Sequence, residues 1–240
     1  MLYSIQIPIR GPQVIYDRQI DALSRQTCQD FEVIVCDDCA KKFPCLKPQP
    51  SLFPQKMVRI VDRIDGWGYP IARNAALDNC SKKAKYMVRL DGDWVLRNTV
   101  LEDILPLLST HTLLEGFKLG SNGKLKEFAP FSVMPLDAVF SCGGWEEAFF
   151  PWYSDWEDFK RRLLLVREFE IKSTELLFAD DTGEADMTTV RDRSHTRKLA
   201  KFFARQGTTV PLMRDLFENE VVFKCGYKKK RSKNENCDQF

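Results

Sequence analysis

"FEVIVCDD", residues 31–38, is a nearly continuous apolar run that stops in two acids. A run this short and this apolar suits a strand covered on both faces, the environment of a parallel sheet rather than of a half-solvated antiparallel one. The segments around it repeat that pattern. Upstream, "YSIQIPI" (3–9) is rich in β-formers and ends at a break marked by Pro8, Gly11 and Pro12. Between the two, "VIYDRQIDALSRQ" (14–26) places Ile15, Ile20 and Leu23 on one side of a helix. Downstream, residues 40–56 carry four prolines and little periodicity, and read as loop. "MVRIV" (57–61) is a third short strand. "PIARNAALDNC" (70–80) is a helix with Pro70 in its first turn. "KYMVRL" (85–90) is a fourth strand, and "TVLEDILPLL" (99–108) a following helix. Strands alternating with helices in this way predict an α/β domain with a largely parallel sheet.

The second half is less regular. "EFAPFSVM" (127–134) reads as a strand, "FKRRLLLVREF" (159–169) as a helix and "EIKSTELLFA" (170–179) as a strand. Between them lies "GGWEEAFFPWYSDWED" (143–158), aromatic and acidic together. The basic stretch "YKKKRSKNENCDQF" (227–240) reads as a frayed tail, which leaves residues 1–226 as one domain: a first half to residue 110 and a second over 111–226.

Composition narrows the class. The chain has 240 residues, 44% hydrophobic and 29% charged, as in a globular protein with a substantial core. Thirty-six basic residues against 34 acidic ones give a net charge of +2 and no general case for nucleic acid. No apolar run approaches the roughly 20 residues that span a bilayer, and the N-terminus lacks the basic-then-apolar order of a signal peptide. The expected location is the cytoplasm. Of eight cysteines, Cys36, Cys39 and Cys45 form C-x2-C-x5-C, but both histidines, His111 and His195, are distant in sequence. Reduced thiols account for these residues better than zinc does.

In open α/β sheets, ligands bind beyond the carboxyl ends of the strands, and this chain's acids gather there. Asp37-Asp38 closes the second strand. In "YMVRLDGDWVL" (86–96), Asp91 and Asp93 close the fourth, separated by Gly92, which permits a tight turn and close approach of a ligand. Carboxylates at that density suit a hard divalent cation whose remaining positions go to water and phosphate oxygens, although an isolated D-x-D is also ordinary turn chemistry. Arg73, in the first turn of its helix, either reaches a phosphate or braces these acids. Asp155, Glu157 and Asp158 lie beside Trp152, Trp156 and Phe159. Acids there either cap the helix or provide a partly desolvated general base.

Taken together these motifs resemble glycosyltransferase family 2. "SIQIPIRG" and "IDALSRQTCQDFEVIVCDD" resemble its opening strand, helix and Asp-Asp strand. "GWGYPIARNAAL" resembles its Ala-Arg-Asn loop and helix, "YMVRLDGDWVL" its D-x-D strand, and "GGWEEAFFPWYSDWEDFKRRLL" its acceptor loop and Glu-Asp motif. The resemblance spans roughly residues 3–168.

It implies a GT-A fold: a Rossmann-like, mostly parallel central sheet flanked by helices, with a less regular acceptor-side C-terminal part. The implied activity is inverting transfer of a sugar from a UDP- or GDP-type nucleotide-sugar to a carbohydrate, lipid-linked or protein acceptor. By position, Pro8, Arg10 and Asp38 line the nucleoside pocket and Arg73 stands near the base or phosphates. Asp91 and Gly92 face the ribose, and Asp93, with Asp91, holds Mn2+ or Mg2+ on the diphosphate. Asp158 is the base, and Glu157 binds acceptor or donor sugar. His195, the sole histidine downstream of the Glu-Asp motif, is the candidate further metal ligand.

The departures are Ile9-Arg10-Gly11 after the first-strand proline, Trp94 where a further acid is common, and "CAKKFPCLKPQP" after Asp38. A sugar-phosphate nucleotidyltransferase would want a glycine-rich loop after the first strand, where "PIRGPQVIYDRQ" has one glycine. A Rossmann dehydrogenase would want G-x-G-x-x-G. A non-catalytic carbohydrate-binding protein of the same fold would have lost a carboxylate, and all are present. The lysines and arginine of residues 228–233 would suit an anionic membrane surface.

Overall fold

The computed structural model of the chain describes residues 1–38, 45–60, 69–119, 125–147, 155–181 and 235–236. Its centre is a sheet in the order β5-β8-β6-β7-β4-β1-β2-β3-β9. The four strands β1 (Tyr3–Ile9), β2 (Phe31–Asp37), β3 (Gln55–Arg59) and β4 (Tyr86–Leu90) are mutually parallel where they pair. Strand β7 (Leu125–Pro135) runs antiparallel beside β4, and β6 (Thr112–Leu119) antiparallel beside β7. Beyond them β8 (Glu170–Asp181) runs parallel to β6, and the short β5 (Trp94–Leu96) runs antiparallel to β8. A two-residue strand, β9 (Glu235–Asn236), pairs antiparallel with β3 at Val58 and Arg59, inside the stretch read as a tail.

Period-2 alternation divides the core between the two faces. On β1, Tyr3, Ile5, Ile7 and Ile9 join Val88 and Leu90 of β4 in one apolar cluster. Helix α1 (Gln13–Ser24) covers that face through Ile15, Tyr16, Ile20 and Leu23, with α3 (Val100–Asp103) beside it. On the other face Ile34, Cys36 and Met87 pack under α2 (Tyr69–Asn79), α4 (Leu136–Ser141) and α5 (Asp155–Val166). The result is a three-layer α/β/α arrangement.

Three expectations are corrected in detail. The helix over 99–108 is broken: α3 ends at Asp103 and a 3-10 turn covers Leu105–Leu107, because Pro106 has no N–H to donate to the preceding turn. The helix over 159–169 starts four residues earlier, so Asp155, Glu157 and Asp158 lie inside its first turn and not before it. Strand β3 sits two residues upstream of "MVRIV". No helix among the described residues is long and apolar enough to cross a membrane. His195 and the lysines of residues 228–233 lie outside the described residues.

Candidate active site

β1 lies between β2 and β4, so the chain changes direction across the sheet between β1 and β4. Such a switch point opens a crevice at the carboxyl ends of the strands. The turn after β4 is clamped into it. Gly92 packs so tightly on the end of β1 that a Cβ there would lie 2.8 Å from the Pro8 carbonyl oxygen and 3.0 Å from Ile9 Cγ1. The Trp94 N–H closes the turn on the Asp91 carbonyl at 3.1 Å. From below, the buried side chain of Gln19 on α1 donates to the Gly92 carbonyl at 2.7 Å and to the Trp94 carbonyl. The Asp38 N–H donates to the Ile9 carbonyl at 2.8 Å, which locks the end of β2 beside the same corner. Pro8, Arg10, Asp38, Asp91 and Gly92 are thereby gathered at three adjoining strand ends. Asp37 serves a structural purpose: its Oδ2 accepts from the Leu46 N–H at 2.9 Å and from Arg59 Nε at 3.3 Å, and burial pushes its carboxyl up.

Arg73 is completely buried and braces the acids. Its Nη2 donates to Asp91 Oδ1 at 2.6 Å, to the Leu90 carbonyl at 3.2 Å and to the Tyr69 hydroxyl, and its Nη1 to the Gln6 carbonyl at 2.8 Å. With every nitrogen enclosed, it sets the position of Asp91 from beneath and does not present itself to a phosphate.

A second arginine, Arg89 on β4, went unnoticed in the sequence. It too is buried, with its guanidinium 4.3 Å from the centre of the Trp156 ring and Nη2 3.8 Å from Asp91 Oδ1. Burial, with repulsion from Arg89, pushes Arg73 well down. Burial lowers Arg89 to about 10, against the attraction of Asp155 and Glu115. Asp91 is pushed well up by burial and by the charges of Asp93 and Asp155. Asp93 and Asp155 thus both repel Asp91, the electrostatic condition that a cation relieves.

The four-residue string at the start of α5 is sorted by the helix. Asp155 and Asp158 lie on its buried face and Glu157 on its exposed one. Asp155 attracts Arg73 and Arg89 and repels Asp91. Asp158 faces inward and is enclosed: Arg162 Nε donates to its Oδ2 at 2.8 Å and Arg161 Nη2 to its Oδ1 at 3.2 Å. The same Arg162 donates from Nη1 to the Cys142 carbonyl at 2.8 Å and to the Gly144 carbonyl, so the Asp158–Arg162 pair ties α5 to the turn that precedes it. In that turn Gly143 and Gly144 have φ of 81° and 73°, a region open to glycine. Asn74, next to Arg73 on α2, clamps the turn reciprocally: its Nδ2 donates to the Trp145 carbonyl at 2.8 Å and its Oδ1 accepts the Trp145 N–H at 2.8 Å. It also donates to Glu147 at 2.9 Å. Trp145 stacks on Phe159 with ring centres 4.1 Å apart and planes 5° from parallel. Adjacent residues of α2 therefore serve the two sides of the crevice, Arg73 the D-x-D corner and Asn74 the aromatic loop. Their adjacency in "ARN" was the signal for Asn74; nothing local signals Arg89 or Gln19.

The oxygen donors of Asp91 and Asp93 fit a hard divalent ion that also takes phosphate and water oxygens. Among the described residues there is no cluster of three or more acid, histidine or cysteine side chains that would enclose a metal by itself. Asp91 Oδ1 is engaged by Arg73.

No curated protein matches the sequence. Among solved structures, the chain is similar to residues 1–349 of S. aureus TarS, at 15% identity and a TM-score of 0.59, over 92% of this chain and 75% of that one. It is also similar to the catalytic domain of Drosophila beta1,4-galactosyltransferase 7 in complex with xylobiose, at 10% identity and a TM-score of 0.54, over 81% and 79%. A third is a mannosyltransferase from Pyrobaculum calidifontis in complex with GDP-Man and Mn2+, at 10% identity and a TM-score of 0.54, over 78% and 58%. These likenesses establish the GT-A fold. The glycosyl transferase family 2 model matches residues 4–117, from β1 into β6 and across the D-x-D corner. Over that span the chain is similar to glycosyl transferase family 2.

Proposed function

We propose that the protein is an inverting, metal-assisted glycosyltransferase in which Asp155 is the general base. The observation that supports this most is the convergence of Asp91, Arg73, Arg89 and Asp155 beside the D-x-D turn, at the switch point of the sheet. The donor's nucleoside lies along Pro8, Arg10 and Asp38, its ribose beside Asp91, and its diphosphate beside Asp93. Asp93 and Asp91 would hold Mn2+ or Mg2+, which supplies charge neutralisation to the departing diphosphate. The donor is a UDP- or GDP-sugar by analogy with the GDP-Man and UDP-GlcNAc complexes of similar folds.

The acceptor is a hydroxyl-bearing carbohydrate or conjugate. Its oxygen attacks the anomeric carbon while its proton passes to Asp155 Oδ; the bond from that carbon to the diphosphate oxygen breaks, and the nucleoside diphosphate leaves. One base and no covalent enzyme intermediate give inversion. A sugar hydroxyl is a poor nucleophile, so the base is required during attack. Asp155 replaces Asp158 in this role, because Asp158 is already held by Arg161 and Arg162 inside the helix packing. Glu157, on the exposed face of α5, is left to acceptor contacts. Arg73 acts through Asp91 as a positioning residue.

The test is nucleoside diphosphate release from a panel of nucleotide-sugars with simple acceptors. Asp155→Asn should lower kcat by about 10²–10⁴-fold, the range for loss of a general base. Asp158→Asn should act mainly on stability. The reverse pattern would return the base role to Asp158.

A further inference from the structure

Arg89 is an expensive residue to place where it stands. A buried guanidinium loses its hydration and is retained only with compensating partners. Its neighbours on the flanking strands, Gln6 of β1 and Ser132 of β7, are also polar and fully buried. Arg89 Nε and Nη1, both polar side-chain atoms of Gln6 and the Ser132 hydroxyl have no hydrogen-bond partner among the described residues. The sheet therefore does not hold Arg89 by hydrogen bonds from below. What engages it lies above, in the crevice. Its guanidinium sits 4.3 Å from the Trp156 ring centre and 6.0 Å from that of Tyr69, and 3.8 Å from Asp91 Oδ1, within the field of Asp155. Trp156 and Asp155 open α5, Asp91 closes β4, and Tyr69 opens α2. One cation on the floor of the crevice thus touches or attracts all three elements that frame it.

We propose that Arg89 is a positioning residue that fixes the start of α5, and with it the Asp155 carboxylate, against the D-x-D corner. The inference rests on the transferase reading for its catalytic consequence and on the geometry alone for its structural one. The stack on Trp156 fixes the rotation of the first helical turn, since a cation over an indole face is held on the ring normal and not merely nearby. Asp155 immediately precedes Trp156 and is carried by the same first turn of α5. Asp91, already held by Arg73, is the fixed reference on the donor side. The distance between base and donor is in this way transmitted through Arg89.

The experiment compares Arg89→Met, which keeps the length and removes the charge, with Arg89→Lys, which keeps the charge and loses the planar group. Hydrogen exchange of the Phe159 and Lys160 amides, the first hydrogen-bonded turn of α5, reports its anchoring without any substrate. Arg89→Met should speed that exchange about tenfold while leaving the β1 and β2 amides protected, and Arg89→Lys should restore most of it. In turnover, Arg89→Met should lower kcat about 100-fold, the order expected for a misplacement of about 1 Å. Donor KM should stay within about threefold, and Arg89→Lys should recover at least about tenfold of the lost kcat.

Unchanged exchange in Arg89→Met overturns the proposal, as does a rise in donor KM that accounts for the whole loss. Wild-type protein that releases no nucleoside diphosphate from any donor defeats the transferase reading. The exchange comparison still decides in that event whether Arg89 anchors α5.

Discussion

Replacing Arg73 with methionine removes the charge from the most enclosed ion pair of the site and leaves a side chain of similar length. The guanidinium is fully buried and its partner carboxylate is about one-fifth exposed. At 2.6 Å the pair is direct, and two further hydrogen bonds tie the same group to the Gln6 and Leu90 carbonyls. Removing one partner of a buried pair destabilises by about 3–5 kcal/mol, since the other charge is left uncompensated. For a chain of this size that corresponds to a fall in Tm of about 6–20 °C.

The loss also has a pH sign. Asp91 is already pushed above its ordinary range by burial, Asp93 and Asp155, and without Arg73 it rises further. A carboxyl whose folded value lies above its unfolded one favours folding below the unfolded value, and that contribution is lost as pH rises through the folded value. The deficit of Arg73→Met should therefore shrink on acidification from pH 8 to pH 5. Urea unfolding at the two pH values, with the slope checked for constancy, measures it. A deficit under about 1 kcal/mol at pH 8, or one that grows on acidification, would refute the argument that Arg73 chiefly compensates Asp91.

Other substitutions read other parts of the account. Gly144→Ala places a Cβ 2.6 Å from Asn74 Oδ1 at a φ of +73°, and should destabilise by about 1–3 kcal/mol in chemical denaturation. Gly92→Ala meets the backbone of Pro8 at 2.8 Å. It should weaken donor-dependent stabilisation at least about tenfold in ligand concentration, an amount equal to about 1.4 kcal/mol. Arg162→Met frees Asp158 and the Cys142–Gly144 carbonyls together, and should lower Tm more than Arg161→Met, whose side chain is about two-fifths exposed.

The N-terminal half of this molecule was legible because its signals are local. Strands β1, β2 and β4 are apolar runs that end in Pro, Asp-Asp and Asp-Gly-Asp, and a strand buried on two faces needs no partner pattern to be recognised. The half that follows was not. Strand β6, "TLLEGFKL", and the three-residue β5 were missed, since their pairing with β7 and β8 is set by distant residues. The proposed base illustrates the same limit. "DWED" offers three acids within four residues, and only the rotation of α5 shows Asp155 and Asp158 buried, Asp158 held by Arg162, and Glu157 exposed. Arg89 is hidden because a charged residue inside "YMVRL" reads as an interruption of a strand, and its partners Trp156 and Asp155 lie more than sixty residues away. Trp94, which replaces a common third acid, is explained in part: it is buried in the core beneath the D-x-D turn and its carbonyl receives Gln19.

The central claim is that the D-x-D corner binds a nucleotide-sugar through a divalent ion while the start of α5 acts on the acceptor. Thermal unfolding with a panel of UDP- and GDP-sugars, with and without Mn2+, tests it most directly, in the wild type, Asp93→Asn and Asp155→Asn. A ligand at about 100 times its Kd stabilises the native state by about 2.7 kcal/mol, or about 5–11 °C here. The account predicts a shift of that size for at least one donor, dependent on Mn2+, abolished in Asp93→Asn and kept in Asp155→Asn. No Mn2+-dependent shift with any donor, or an equal loss in both variants, would contradict it.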